Sequence, residues 1–290
     1  MKNSVRIISH LVANLKSALS ELKKDGAVIG ISGGIDSAVA LHLLERCLPK
    51  DRILPLILPD RDSDPRCIYL AEKVCQYYDA KKISITPLLQ KLGVYRTFKN
   101  YPFIPRRIKE KYSRRRLEYH GRRIYLRFLR GDLDSELRKV LSYVRIKNRI
   151  RMAIIYHHAE IHNYGVVGTI NKTEYLLGFF VPFGDGVADI MPLLELYKTD
   201  LYRIAQALNV PEEIITKSPT PDLIPAVTDE MILGMSYERI DDILKKIIDD
   251  QVRDLDTEES QYVRELYNRA RNLRVLFFPI QRDFDNRVDL

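Results

Sequence analysis

A six-residue segment rich in glycine and serine, Ser32-Gly33-Gly34-Ile35-Asp36-Ser37, does most to limit the folds open to this chain. The short apolar run before it, Ala27–Ile31, has the length of a buried strand, and Ser37–Cys47 after it repeats apolar residues at helical spacing. A second strand-like run, Ile53–Leu58, follows. A strand, a loop, a helix and another strand in this order predict a parallel sheet.

The alternation of helices and strands continues on both sides of this unit. Helical spacing is found over residues 5–24, 64–78, about 136–163, 193–208 and most of 228–274, and strand-like runs are found over 82–86 and 165–169. We therefore predict an α/β fold, a doubly wound, Rossmann-like parallel sheet with helices on both faces and a helical C-terminal part. All 290 residues are assigned to one domain.

An arginine-rich stretch interrupts the alternation. The net charge is +8, and residues 106–130 hold eleven Lys and Arg against two Glu. We interpret residues 96–135 as a basic insertion. Such a stretch can attract the phosphates of a nucleotide or a nucleic acid, or it can be a solvated, partly helical segment without a ligand. Its interleaved aromatic residues are Tyr112, Tyr119, Tyr125 and Phe128.

Several classes of protein are not favoured by the composition. No apolar run reaches the roughly 18 residues of a membrane span. The three cysteines, Cys47, Cys67 and Cys75, have no Cys-x-x-Cys spacing, so neither a disulfide framework nor a zinc site is expected. The N-terminus lacks the pattern of a secretory signal, and we expect a cytoplasmic protein.

The glycine-serine segment has the properties of a polyphosphate site. A loop that leads from a strand into a helix presents free N–H groups and the positive end of the helix dipole to an anion. Gly33 and Gly34 let the backbone approach a phosphate closely, and the hydroxyls of Ser32 and Ser37 can add hydrogen bonds. Asp36 is suited to a Mg²⁺ that bridges to the phosphates. The sequence lacks the Walker pattern and the Gly-x-Gly-x-x-Gly pattern, so a different ATP-binding class is predicted.

Ser-Gly-Gly-x-Asp-Ser after a first strand resembles the pyrophosphate-binding loop, or PP-loop, of the N-type ATP pyrophosphatases, whose fold is that of the adenine nucleotide alpha hydrolases. A second block of residues is similar to the ammonia-dependent NAD synthetases within that superfamily. The resemblance covers residues 25–95 and 145–245. The matching positions are Arg149-Ile-Arg-Met152, Gly168-Thr169, Glu174, Gly178-Phe179-Phe180, Gly184-Asp185-Gly186, Asp189, Pro192, Leu196-Tyr-Lys198, Pro219-Thr220, Thr228-Asp-Glu230 and Gly234.

The resemblance implies an ATP-dependent ligase in which the carboxylate of deamido-NAD attacks the α-phosphate and ammonia then displaces AMP. It implies ATP and Mg²⁺ as cofactors and a homodimer. Asp36 and Lys198 are the implied catalytic residues, and Asp36 and Glu174 the implied metal ligands. Arg149 and Asp189 are the implied contacts of the dinucleotide. The implied ATP contacts are Ser32, Gly33, Gly34, Asp36, Ser37, Thr169, Lys198 and Thr220.

Three departures from the family pattern fall on the acceptor side of the site. Pro182 stands where the family has lysine, Arg145 stands where it commonly has asparagine, and a His-Lys pair has no clear match around Arg269–Val275. Two alternatives therefore stay open, an NAD synthetase-like enzyme that adenylates another carboxylate and a PP-loop enzyme that modifies RNA through residues 106–130. The sequence shows no glutaminase signature, so free ammonia is the expected nucleophile.

Overall fold

A computed structural model describes residues 2–98, 124–223, 227–251 and 257–274, together with Lys111 and Arg115. Most of the predicted insertion, residues 99–123, therefore lies outside the described residues apart from those two positions. The helices in the first part of the described chain are α1 (Lys2–Glu21), α2 (Ile35–Glu45), α3 (Pro65–Val74), α4 (Thr86–Lys91), α5 (Ile124–Arg130) and α6 (Ser135–His162). Those that follow are α7 (Lys172–Leu177), α8 (Lys198–Ala207), α9 (Glu212–Ile215), α10 (Asp229–Leu233), α11 (Tyr237–Ile248), α12 (Glu258–Arg269) and α13 (Arg271–Arg274).

Parallel strands form a sheet in the order β3-β2-β1-β4, which confirms the predicted fold class. The strands are β1 (Gly26–Gly30), β2 (Ile53–Ile57), β3 (Lys81–Lys82) and β4 (Tyr164–Val167). The chain leaves β1 toward β2 on one side, whereas β4 pairs with β1 on the other side. The loops after β1 and β4 therefore diverge at their carboxyl ends, where open α/β sheets bind ligands.

Three predicted boundaries differ from the structure. The run predicted as a strand over 82–86 has regular pairing only at Lys81–Lys82. The N–H of Ile83 still bonds to the last residue of β2, Ile57, and the N–H of Ile85 bonds to Pro59 just after it. The helix predicted over 193–208 begins at Lys198, because the preceding residues form turns in which the N–H of Leu196 bonds to the carbonyl of Leu193. The predicted strand over 165–169 ends at Val167.

Both faces of the sheet are covered by helices, because strand residues alternate in direction and are apolar on both sides. Ala27 and Ile29 pack with α1, α2 and α8, whereas Val28 and Leu54 pack on the opposite face with α4 and α6. Burying each of the larger side chains, Val28, Ile29 and Leu54, stabilises the fold by about 1.5–3 kcal/mol.

A third apolar cluster joins α5, α7, α10, α11 and α12 beyond the carboxyl edge of the sheet. Tyr125 on α5 is buried there, donates a hydrogen bond to the carbonyl of Leu177 and meets the Phe179 ring edge-on at 5.2 Å. The C-terminal end of the basic stretch is thus a packed helix. No helix among the described residues is long and apolar enough to span a membrane.

Candidate active site

The glycine-serine loop enters α2 with open backbone donors. Gly34 is the N-cap of α2, and no side chain caps this end, so the first N–H groups of the helix have no capping acceptor. Gly33 has φ of +72°, and a Cβ at that position would lie 2.2 Å from the carbonyl oxygen of Cys67. Only glycine suits this position, because the conformation is left-handed and α3 passes close by. The loop is therefore a candidate anion site.

Lys198 lies at the centre of the site, with only 1% of its side chain exposed. Its Nζ is 2.6 Å from Oδ2 of Asp36 and 3.1 Å from Oε1 of Glu174. These residues come from the first turns of α8, α2 and α7, which converge beyond the ends of β1 and β4. The structure thus brings together three residues that the resemblance selected from distant parts of the sequence.

The carboxylates around Lys198 outnumber its single charge. Burial raises the pKa of Glu174 to about 8 although Lys198 opposes the shift, and burial raises the pKa of Asp229 to about 6. Burial alone would lower the pKa of Lys198, but Asp36 and Glu174 outweigh it and raise that pKa. Lys198 is therefore held in its charged form, and its shorter bond goes to Asp36. A further cation bound here would favour the charged forms of Glu174 and Asp229.

Asn171 orients the two acids. It caps α7 through a reciprocal capping box with Glu174, and its Nδ2 donates a hydrogen bond of 2.8 Å to Oδ1 of Asp36. The pattern Asn171-Lys-Thr-Glu174 is the sequence signal of such a box, but its link to Asp36 depends on the tertiary fold. Asn171 is not among the site residues predicted from the sequence.

A buried aspartate fixes the start of α8. Asp241, on α11, accepts hydrogen bonds from the Thr173 hydroxyl and, at 2.8 Å, from the N–H of Thr199. The Thr173 hydroxyl in turn accepts from the N–H of Lys198 at 2.9 Å. Because both N–H groups lie in the first turn of α8, these bonds hold the Lys198 backbone in place.

A cavity of about 610 Å³ lies over this centre. It is bounded by the loop after β1, the loop after β4, one side of α6 and residues 217–223. Seven of the predicted site residues line it: Ser32, Gly34, Asp36, Thr169, Glu174, Lys198 and Thr220. The cavity therefore joins the anion site to the carboxylate-lysine centre.

Four of the predicted site residues, Gly33, Ser37, Arg149 and Asp189, do not line the cavity. Ser37 is buried, and its hydroxyl bonds to the Gly34 carbonyl at 3.0 Å, so it braces the loop from within, behind Gly33. Arg149 is exposed and donates to the carbonyl of Pro182. Asp189 is also exposed and accepts from the N–H of Val166 at 2.8 Å.

The other arginine of the Arg-x-Arg-Met block faces the cavity. Nε of Arg151 donates to the Leu58 carbonyl at 2.9 Å, and Nη1 donates to Asn148 at 3.0 Å. Lys217 also lines the cavity, and its Nζ lies 3.1 Å from Sγ of Cys67. Helical spacing places Asn148, Arg151 and Ile155 on one side of α6. This spacing is visible in the sequence and could have indicated that Arg151 faces the same way as Asn148.

The donor set around Asp36 suits Mg²⁺. Asp36 and Glu174 offer hard carboxylate oxygens, and the raised pKa of Glu174 marks a carboxyl that lacks full compensation. Within the described ranges, no group of three or more His, Cys, Asp and Glu is arranged to hold a metal ion. Mg²⁺ commonly binds through one or two carboxylates together with substrate phosphates, so two carboxylates beside an anion loop are sufficient.

Comparison with known proteins agrees with this geometry. The sequence model described as NAD synthase matches residues 7–117 and 123–275. An NH(3)-dependent NAD(+) synthetase of Thermotoga maritima is 44% identical over 255 residues, which cover 87% of this chain and 90% of that protein. The structure resembles NMN synthetase from Francisella tularensis, with a TM-score of 0.73, 26% identity and coverage of 95% and 97%. It also resembles an NH3-dependent NAD synthetase from Campylobacter jejuni in complex with the nitrate ion, with a TM-score of 0.65, 25% identity and coverage of 93% and 94%. On the family match and this identity, the chain belongs to the NAD synthase family.

Proposed function

We propose that this protein is an ammonia-dependent ligase that converts deamido-NAD to NAD, with ATP cleaved to AMP and pyrophosphate. One observation carries the proposal: Lys198, Asp36 and Glu174 meet in the cavity beside an uncapped helix N-terminus. The family and the curated relatives support the same activity.

The chemistry has two steps. In the first, a carboxylate oxygen of the nicotinate attacks the α-phosphorus of ATP, and pyrophosphate leaves. In the second, the lone pair of ammonia attacks the acyl carbon, AMP leaves with its oxygen, and one proton is released. The first step gives the anionic, unreactive carboxylate a good leaving group.

The residues of the site have separate roles in these steps. The N–H groups at the start of α2 bind the polyphosphate, and Lys198 offsets the charge that develops as pyrophosphate leaves. Asp36 and Glu174 would hold Mg²⁺, which supplies further charge neutralisation at the phosphates. Asn171 keeps Asp36 in position. Thr169 and Thr220, which both line the cavity, are proposed to contact ATP.

The assembly and location belong to the same proposal. We propose that the protein is a homodimer. We also propose that Arg149 and Asp189, on the surface beside the cavity, contact the dinucleotide. A cytoplasmic location stays a prediction from the sequence. The alternative of a PP-loop enzyme that modifies RNA is not favoured. Tyr125, one of the aromatic residues that could stack on RNA bases, is buried against Phe179.

Turnover assays test the proposal directly. The protein is incubated with Mg²⁺, ATP, ammonium and either deamido-NAD or nicotinate mononucleotide, and AMP, pyrophosphate and the amide product are measured by chromatography. We expect AMP and NAD in equal amounts with deamido-NAD. The mononucleotide is included because a structural neighbour is an NMN synthetase. AMP release with other carboxylates but none with deamido-NAD would refute the proposal.

A further inference from the structure

Arg145 lines the cavity on the same side of α6 as Asn148 and is half-buried. Its guanidinium carbon lies 4.4 Å from the centre of the Phe128 ring. In the part of the chain that the structure describes, the guanidinium has neither a hydrogen bond nor a carboxylate within ion-pair distance. Removing a charge from water without a counter-ion is costly, so this position calls for an anion.

The described residues around Arg145 do not supply that anion. Burial lowers the pKa of its guanidinium, Arg149 lowers it further, and Tyr125 and Asp185 act in the opposite direction. The Asp185 carboxylate accepts a hydrogen bond of 2.8 Å from the N–H of Val181. Phe128 offers a cation-π contact on the flat side of the guanidinium, but it has no acceptor for the N–H donors at the rim.

Arg145 lies away from the end of the cavity next to the sheet. Arg151 bonds to Leu58, directly after β2, and Arg145 precedes Arg151 by six residues. At 1.5 Å per helical residue, its backbone is about 9 Å farther along α6. The cavity therefore extends from the phosphate loop past Arg151 toward Arg145, which gives room for a second ligand beyond ATP.

Other cations lining the cavity already have partners. Lys198 faces two carboxylates, Arg151 donates to a carbonyl and to Asn148, and Lys217 donates to Cys67. A guanidinium binds phosphate with paired, charge-assisted hydrogen bonds. We propose that Arg145 binds a phosphate of the acceptor nucleotide, an inference that rests on the proposed function and deepens it. Arginine in place of the family's usual asparagine adds this contact.

A thermodynamic cycle tests the contact without turnover. Affinities of nicotinate mononucleotide and of nicotinate riboside, which lacks the phosphate, are measured by calorimetry for the wild type and Arg145→Asn. We expect the wild type to prefer the mononucleotide and the preference to fall about tenfold or more in the variant. Arg145→Lys should keep part of it. Deamido-NAD, as a third ligand, shows whether the contact serves a single phosphate or the pyrophosphate of a dinucleotide.

The controls separate binding from folding. Arg203 on α8 is 78% exposed, so Arg203→Asn should leave all affinities unchanged. ATP affinity should be the same in every variant. An unchanged preference in Arg145→Asn, or an equal loss for both nicotinate ligands, would overturn the role of Arg145. If the wild type binds no nicotinate nucleotide, both the role of Arg145 and the proposed function are overturned. The AMP assay of the wild type tells the two failures apart: a wild type that forms AMP with deamido-NAD keeps the proposed function even if Arg145 has no role.

Discussion

Single side chains set the charge balance of the site, and a substitution at Asp36 tests this most directly. The Asp36 carboxylate accepts hydrogen bonds from Lys198 and Asn171. We expect Asp36→Asn to fold normally and to lose AMP and pyrophosphate formation by about a hundredfold or more, because the neutral amide cannot hold Mg²⁺. Asp51→Asn, at an exposed position, is the matched control. An active Asp36→Asn enzyme would refute the metal assignment.

Asn171 both caps α7 and orients Asp36. Asn171→Asp keeps an N-cap oxygen for α7 but loses the amide donor and places a buried like charge against Asp36. We expect a drop in kcat of about tenfold or more, together with a loss of stability, because the new buried carboxylate has no counter-ion. Asn171→Ala removes the cap and the amide donor without adding a charge, and it should lose about 1 kcal/mol of stability. Steady-state kinetics measures kcat, and urea unfolding measures the stability. Equal kcat in Asn171→Asp and the wild type would show that the hydrogen bond from Asn171 has no role in orienting Asp36.

At the scale of elements, the loop between β1 and α2 depends on its close approach to α3. Gly33 and Gly131 share left-handed φ angles of +72° and +73°, but a Cβ at 131 would meet nothing within 4 Å. We expect Gly131→Ala to cost about 1 kcal/mol for its backbone strain alone. Gly33→Ala should lose more stability than Gly131→Ala, because the loop must move away from Cys67. The displaced loop should also abolish pyrophosphate release. Equal stabilities of the two variants in thermal unfolding would contradict this contact.

Helix α6 is joined to the end of β2 by a buried ion cluster. Lys147 is fully buried, with Nζ 2.7 Å from Asp60 and 2.9 Å from Asp62. We expect Lys147→Met to lower the free energy of unfolding by about 3–5 kcal/mol, because two buried carboxylates lose their counter-ion. Lys139 on the same helix is exposed, and Lys139→Met should change the free energy of unfolding by about 0.5 kcal/mol or less. A loss below 1 kcal/mol in Lys147→Met, measured by urea unfolding, would show that the cluster does not fasten α6.

For the whole molecule, the raised pKa values of Glu174 and Asp229 couple the fold to pH. The folded state keeps protons on these carboxyls up to about pH 8 and about pH 6, whereas the unfolded chain releases them near their ordinary pKa values of 4.5 and 3.8. Because the folded state then binds more protons, these groups lower the free energy of unfolding as pH rises through this window. Without Mg²⁺ and ATP, Glu174→Gln should therefore gain stability over the wild type between pH 5 and pH 8.

Urea unfolding at several pH values measures this difference. Glu213→Gln, on an exposed side chain, is the control and should follow the wild type at every pH. Parallel pH curves for the wild type and Glu174→Gln would show that Glu174 ionises normally in the fold. The comparison between variants matters because other groups also titrate in this range.

Local patterns in the amino-acid sequence were enough to predict the fold class and the phosphate loop. Apolar runs of strand length and helical spacing are local patterns, and they identified β1, α2, β2 and the loop at Gly33-Gly34. Asp36, Glu174 and Lys198 were placed in one site by their order in the family pattern. Strand and helix boundaries were less accurate, as at Lys198, because turns and long-range pairing decide where an element begins.

Which side chains share the cavity depends on how distant helices and loops pack against one another. Arg149 and Arg151 differ by two residues, so they point in different directions on α6, and the fold turns Arg151 toward the cavity. The bond from Asn171 to Asp36 spans 135 positions of sequence, and no local pattern encodes it. The loop at Ser32–Ser37 was predictable because its function is local, whereas the charge balance around Lys198 depends on burial and on neighbours from distant helices, which only the packed chain provides.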